Sequence, residues 1–138
     1  ILTTLFTGAA LYISLVEQPA PPGPAAAPLL LQWQSSYQRA LPIQSGLALA
    51  GGATGLLTGY LSADWRWFAG SMLLLANWPF TLIAIMPVNK PLMTMHEKEA
   101  GSRSRALLVQ WGKLHVIRSI LGTAATLVFA WALTSRGF

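Results

Sequence analysis

The 138-residue chain has no cysteine, and only 9% of its residues are charged. Without cysteine there is no disulfide, no thiolate metal site and no cysteine nucleophile. A soluble domain carries about a quarter charged residues, so a surface this poor in charge faces lipid or other helices. Four acidic residues stand against nine lysines and arginines, a net charge of +5. Such a balance can signal nucleic acid. Here the bases sit in short segments between apolar runs, where they set membrane topology instead, and no nucleic-acid partner is expected. Also absent are a glycine-rich phosphate loop, a nucleophile elbow, a zinc signature and an internal repeat.

What the chain has in quantity is apolar sequence, 54% of its residues. Four runs stand out: Ile1 to Val16, Leu41 to Leu61, Trp67 to Val88 and Leu114 to Leu133. The last three approach the ~20 residues that cross ~30 Å of hydrocarbon. In lipid only helices and closed barrels satisfy their backbone, and strand-like alternation is absent. The expected fold is therefore all-α, a single four-helix transmembrane bundle over residues 1–138. Ile1 lies inside an apolar run with no initiator Met, so the first helix is expected to begin upstream. A signal-peptide reading of residues 1–16 meets Glu17 and Pro19 where small cleavage-site residues belong.

The connections differ in kind. Pro19, Ala20, Pro21, Pro22, Gly23, Pro24 and Pro28 exclude a helix and predict extended chain. Leu29, Leu30, Trp33 and Tyr37 then recur at helical spacing, which predicts a short amphipathic helix at the membrane interface. Ser62 to Arg66 reads as a tight turn. Asn89 to Lys113 holds most of the charge, and its helical period from Ser102 predicts a helix running unbroken into the fourth span. Arg39, Lys90, Lys98, Arg103, Arg105 and Lys113 fall in the first and third connections, against Arg66 and Arg136 on the other side. The positive-inside rule places the first and third connections in the cytoplasm or its equivalent. The chain is thus expected to be a multi-pass protein of the lipid bilayer.

Two features concern packing. Gly51, Gly55 and Gly59, at i, i+4 and i+8, let helices approach closely. They fit packing within the bundle or a homodimer face. Pro79 removes a backbone hydrogen bond and predicts a kink near Asn77 and Trp78.

The chemistry-bearing residues gather in Trp111-Gly-Lys-Leu-His115-Val-Ile-Arg118. Trp111, His115 and Arg118 are spaced i, i+4, i+7 and share one helical face. Ser104, Leu107 and Leu108 continue it in one direction, and Gly122, Ala125 and Phe129 in the other. The small residues mark a face packed against other helices. Ionisable groups inside a membrane are costly and are functional candidates by default. The plainer readings are that Arg118 snorkels to the headgroups and that His115 is a structural hydrogen-bonding residue. Against them, alternating helix directions bring Glu17, Asn89, His115 and Arg118 to one membrane face. These four are the candidate catalytic residues. Glu17 is expected to pair with Arg118 or His115, because a buried charge needs a partner. Trp33, Tyr37 and Trp111 are the expected aromatic walls for a substrate. His96-Glu97-Lys98-Glu99 has metal-ligand residue types but reads as a solvated loop. A bis-histidine haem would need His96 and His115, one of them in that loop. Neither a metal nor another cofactor is expected.

With Glu17-x-Pro19-Ala20 after the first helix, Trp33-x-x-x-Tyr37, Pro87-x-Asn89 after the third, and Trp111-x-x-x-His115-x-x-Arg118 opening the fourth, the chain resembles a family of small four-helix membrane proteins that includes the anthrone oxygenases. The resemblance covers nearly the whole chain. The proline-rich Pro21 to Pro28 stretch departs from the family pattern, which has a more ordinary polar loop. The resemblance implies oxidation of an anthrone to an anthraquinone by O2, without metal or organic cofactor. A base, His115 or Glu17, would remove a proton, and Arg118 and Asn89 would stabilise the enolate oxygen. Two readings stand at this level. One is a cofactor-independent oxygenase of an apolar aromatic substrate. The alternative is a non-catalytic accessory subunit of a larger membrane complex.

Overall fold

The computed structural model describes residues 1–17 and 26–135. The expected extended stretch, with Pro19, Ala20 and Pro21 to Pro24, lies outside them, as does Arg136. Four helices account for nearly all the described residues: α1 (Leu2–Glu17), α2 (Ala26–Ser62), α3 (Trp65–Thr94) and α4 (Ser102–Thr134). The last three have 37, 30 and 33 residues and are long and apolar enough to cross a membrane. At 1.5 Å per residue they reach ~45–55 Å, well beyond the ~30 Å hydrocarbon core. The first is shorter and packs beside them. No strand occurs among the described residues.

Three boundaries differ from expectation. Pro28, expected in extended chain, lies in the first turn of α2, which begins at Ala26; there a missing N–H costs no intrahelical bond. The segment with Leu30, Trp33 and Tyr37 is helical as predicted, but it is not a separate helix. It runs into the second span as one 37-residue element through Pro42. The reason is a continuous buried stripe, Leu30, Trp33, Gln44, Ala48, Gly51 and Gly55, with Pro42 exposed on the outer side. Its missing N–H therefore opens the helix only locally. The charged third connection is shorter than predicted, since α3 continues past Asn89 to Thr94. As predicted, α4 begins at Ser102 and runs unbroken through Leu114.

The α2–α3 turn is tight, as its sequence suggested. Ala63 sits at φ 52°, in the left-handed region, and Asp64 N–H donates to Gly59 C=O at 3.3 Å, closing the end of α2. Asp64 then caps α3, accepting from Arg66 N–H at 3.1 Å and pairing with its guanidinium at 2.9 Å. Further along α3 the ladder is disturbed. The regular helix stops at Leu75, resumes over Asn77–Phe80, and widens to an i→i+5 turn over Thr81–Ile85. Pro79 and Pro87 each lack the N–H that a regular ladder needs, so the disturbance falls where the sequence put it. The last carbonyls of α3 are taken by α2: Gln34 Nε2 donates to Leu92 and Met95 C=O, at 2.7 and 3.0 Å.

The core has two apolar clusters. One gathers Ile13, Leu30, Trp33, Ile85, Val88, Leu92 and Trp111. The other gathers Phe6, Ala48, Leu74, Ala125 and Phe129. Glycines make the second compact. A Cβ on Gly55 would lie 2.8 Å from Phe129 Cζ, and one on Gly122 would lie 2.9 Å from Phe6 Cε1. Gly51 and Gly59 face Leu74 and Phe68 in the same way. The glycine stripe of α2 is therefore buried within the bundle. This corrects the homodimer reading, since Gly51, Gly55 and Gly59 present no face to a second copy.

Candidate functional site

Between the two apolar clusters lies a layer of buried polar side chains. Position explains most of it. His115, Arg118, Ser119 and Gly122 continue the buried face of α4 that starts at Ser104 and Trp111. His115 is 1% exposed and Arg118 6%, which places Arg118 inside the bundle and overturns snorkelling.

His115 is held on one edge by a chain of hydroxyls. Its Nδ1 lies 3.1 Å from Ser14 Oγ, and Ser14 Oγ lies 2.8 Å from Ser119 Oγ. Ser119 Oγ donates to Ala10 C=O at 3.1 Å. A carbonyl can only accept and each serine has one proton. Ser119 Oγ also lies 3.4 Å from His115 C=O, so its one proton has both carbonyls and Ser14 Oγ within reach. With that proton on a carbonyl, Ser14 donates to Ser119 and His115 Nδ1–H to Ser14. That order leaves Nε2 as the ring nitrogen with the free lone pair. Trp111 stacks on the same imidazole, 4.8 Å between centroids at 25°.

Arg118 Nη2 donates to Gln44 Oε1 at 3.0 Å, and its Cζ lies 5.7 Å from the centre of the Phe6 ring. Its Nε and Gln44 Nε2 are buried donors with no hydrogen-bond partner. The expected Glu17 ion pair is absent. Among the described residues the ion pair is Arg66 with Asp64, and Glu17 is exposed. Gln44 and Phe6 take the role expected of Glu17, since a neutral acceptor and a ring face can partner a guanidinium without burying a second charge.

A cavity of about 90 Å³ opens beside these groups, with Glu17, Trp33, Tyr37, Trp111, His115 and Arg118 in its wall. The aromatic residues form one cluster. Trp33 stacks on Tyr37 at 4.9 Å, and Trp111 meets both edge-on, at 5.5 and 6.4 Å. Asn89 stands behind them. It is 1% exposed and donates Nδ2 to the Tyr37 hydroxyl at 2.6 Å. The structure thus brings Trp33, Tyr37, Trp111, His115 and Arg118 to one cavity, places Glu17 exposed in its wall, and sets Asn89 as the support of Tyr37.

The family model for anthrone oxygenases matches residues 33–128, more than half of the chain. The chain belongs to the anthrone oxygenase family. The matched stretch contains Trp33, Tyr37, Asn89, Trp111, His115 and Arg118, and leaves Ser14 and Glu17 outside it. The chain is 31% identical over 106 residues to anthrone oxygenase tpcL of Aspergillus fumigatus, covering 69% of this chain and 64% of that protein. It therefore spans a little under two thirds of that relative's length. No solved structure matches the chain.

Sequence reasoning missed three members of this anthrone oxygenase-family site: Ser14, Gln44 and Ser119. Gln44 and Ser119 carried usable signals. Gln44 is a lone amide within an apolar span, and Ser119 follows His115 by one turn on its face. Ser14 had none, because its value comes from a partner 101 positions away. His96 is exposed and its N–H is bonded by Glu99 Oε2 at 2.8 Å. Among the described residues no three His, Asp or Glu side chains converge on one point.

Proposed function

We propose that this protein is a cofactor-independent oxygenase of an apolar aromatic, anthrone-like substrate. The observation that carries the reading is the cleft whose wall holds the His115 imidazole, the Arg118 guanidinium and the rings of Trp33, Tyr37 and Trp111. Its enclosed part, about 90 Å³, is smaller than one aromatic ring needs, so only the reacting edge of the substrate enters and its remaining rings lie in the open mouth. An anthrone has a CH2 between two aryl rings, acidic because its carbanion is conjugated to the carbonyl. His115 Nε2 takes one proton from that carbon. The C–H electron pair passes into the ring system, and the charge collects on the carbonyl oxygen. Arg118 Nε and Gln44 Nε2 are the donors for that oxygen. The carbanion adds to O2 to give a peroxide anion, which takes back the proton held by His115 and becomes a hydroperoxide at the same carbon. Loss of the second hydrogen as a proton, with cleavage of the O–O bond, gives the new carbonyl and water. One oxygen atom enters the product, the other leaves as water, and no electron donor is needed.

The remaining residues position the reaction. Ser14 and Ser119 hold the imidazole in the tautomer with Nε2 unprotonated. Trp33 and Trp111 supply flat apolar area for the rings. Asn89 acts through Tyr37, and Glu17 is too exposed to be the base of a water-excluded step. The accessory-subunit reading would fit polar groups sealed by packing, whereas an open cavity favours catalysis.

The test is oxygen consumption by the purified protein in detergent with 1,8-dihydroxyanthrone, alongside anthraquinone absorbance. Turnover well above spontaneous autoxidation, with one O2 consumed per anthraquinone formed, is expected. A rate equal to buffer would overturn the anthrone assignment.

A further inference from the structure

A second cavity, of about 160 Å³, lies between α2 and the disturbed part of α3. Its wall includes Ser45, Ala48, Asn77, Trp78, Thr81 and Met86, and Arg118 lines it as it lines the first cavity. Arg118 and Leu41 belong to both walls, so the guanidinium forms part of the partition between the two spaces. The irregular backbone of α3 accounts for the opening. The helix breaks at Ala76 and widens over Thr81–Ile85, which turns it away from the close packing that a regular ladder would allow. The mouth is apolar: Trp78 is 37% exposed and Leu82 56%.

One polar atom in this cleft has no explanation in the fold. Asn77 is 2% exposed, and its Nδ2 donates to Leu74 C=O at 3.0 Å. Because a carbonyl can only accept, that bond fixes which end of the amide is oxygen. Asn77 Oδ1 is then a buried acceptor with no partner. A buried acceptor left unpaired is costly, and a ligand hydroxyl would recover that cost. Ser45 and Thr81 supply two further hydroxyls, and apart from these, Asn77 and Arg118 the wall is apolar. An apolar space of about 150 Å³ accommodates a single benzene ring.

We propose that this cleft is a second binding site, for an uncharged lipid-soluble phenol. Its ring fills the space between Ala48 and Trp78, and its hydroxyl donates to Asn77 Oδ1. The site opens toward the bilayer and shares Arg118 with the first cavity. It stands on the cleft's own chemistry and does not require the oxygenase reading.

The probe is 4-hydroxybenzophenone, a phenol whose photoexcited ketone inserts into nearby C–H bonds and favours methionine. The full chain is reconstituted in phosphatidylcholine nanodiscs and irradiated, and adducts are mapped by mass spectrometry. Labelling within residues 81–86 is expected to saturate with probe concentration. Asn77→Leu, which removes the acceptor at similar volume, is expected to reduce that labelling at least fivefold. Thr81→Trp, at the rim and half-buried, fills the cleft without touching Asn77 and is expected to do the same. Labelling that rises linearly, as simple partitioning into lipid requires, would overturn the site. So would saturable labelling unchanged in both variants. Saturable labelling in a protein with no anthrone turnover keeps this site and removes the oxygenase reading. Turnover without saturable labelling does the reverse.

Discussion

Replacing Gly55 with alanine tests the packing on which the site rests. Its Cβ would collide with Ser71 Oγ and lie 2.8 Å from Phe129 Cζ and 3.0 Å from Phe129 Cε1. The serine can yield, since its Oγ has no hydrogen bond to lose by rotating away. The phenyl ring cannot. Carbon atoms settle ~3.5–4.0 Å apart, so the ring would have to retreat by most of an ångström. On another side it rests against Gly70, where a Cβ would lie only 2.6 Å from Phe129 Cε1, and Trp67 lies 5.3 Å away between centroids. Overpacking a filled core costs ~1–3 kcal/mol, and with no free direction for the ring the upper half of that range is expected. The double variant with Phe129→Leu removes the colliding ring atoms. It should be less destabilised than the sum of the single variants by ~1 kcal/mol or more. Unfolding in mixed micelles, followed by circular dichroism, gives these values. Inward packing of Gly55 is refuted if Gly55→Ala leaves stability unchanged and instead shifts the oligomeric state on native mass spectrometry, with no coupling to Phe129.

Arg118→Lys keeps the charge but loses the planar set of donors. Turnover of 1,8-dihydroxyanthrone should fall ~10²-fold, as for loss of an oxyanion donor, and an unchanged rate would return Arg118 to a structural role. Ser14→Ala frees the imidazole to adopt the other tautomer. It should lower kcat by about tenfold with little change in KM, and the histidine nitrogen shifts in NMR should report the tautomer change. Ala63→Gly relieves a left-handed residue at the end of α2 and should stabilise the protein by about 0.5–1 kcal/mol, read as a raised unfolding midpoint with activity unchanged.

Most of the fold was legible because membrane burial is written in the order of apolar residues. The spans, the start of α4 at Ser102 and the buried face of Trp111, His115 and Arg118 all follow from one helical period. The join between the predicted short helix and the second span was missed because the span was read from its apolar run, which begins only at Leu41, whereas the helix passes through Pro42 as one element. Proline removes one hydrogen bond of its own helix and crowds the carbonyl four residues before it, and the buried stripe on the other side of α2 holds the helix together across that local defect. The site was legible as a depth but not as a set of distances. Glu17 and Arg118 come to the same end of the bundle, and periodicity alone cannot say that Gln44 takes the guanidinium first. The hydroxyl chain Ser14, Ser119 and Ala10 C=O joins α1 to α4, a contact between the two ends of the sequence that no local pattern encodes. The glycine stripe fitted two kinds of neighbour. Only the position of Phe129 and Leu74 shows that it packs inward.

The central claim is that His115 Nε2 removes a proton from an apolar aromatic substrate. The most direct measurement is oxygen consumption by His115→Ala with 1,8-dihydroxyanthrone, without and with added imidazole. Loss of a general base costs ~10²- to 10⁴-fold in rate. The variant should fall by that much while remaining folded in detergent, since Trp111 and the small-residue face of α4 are retained. Imidazole diffusing into the vacated space should restore part of the rate. A wild-type protein that turns the substrate over and a variant that matches it without imidazole would contradict the account.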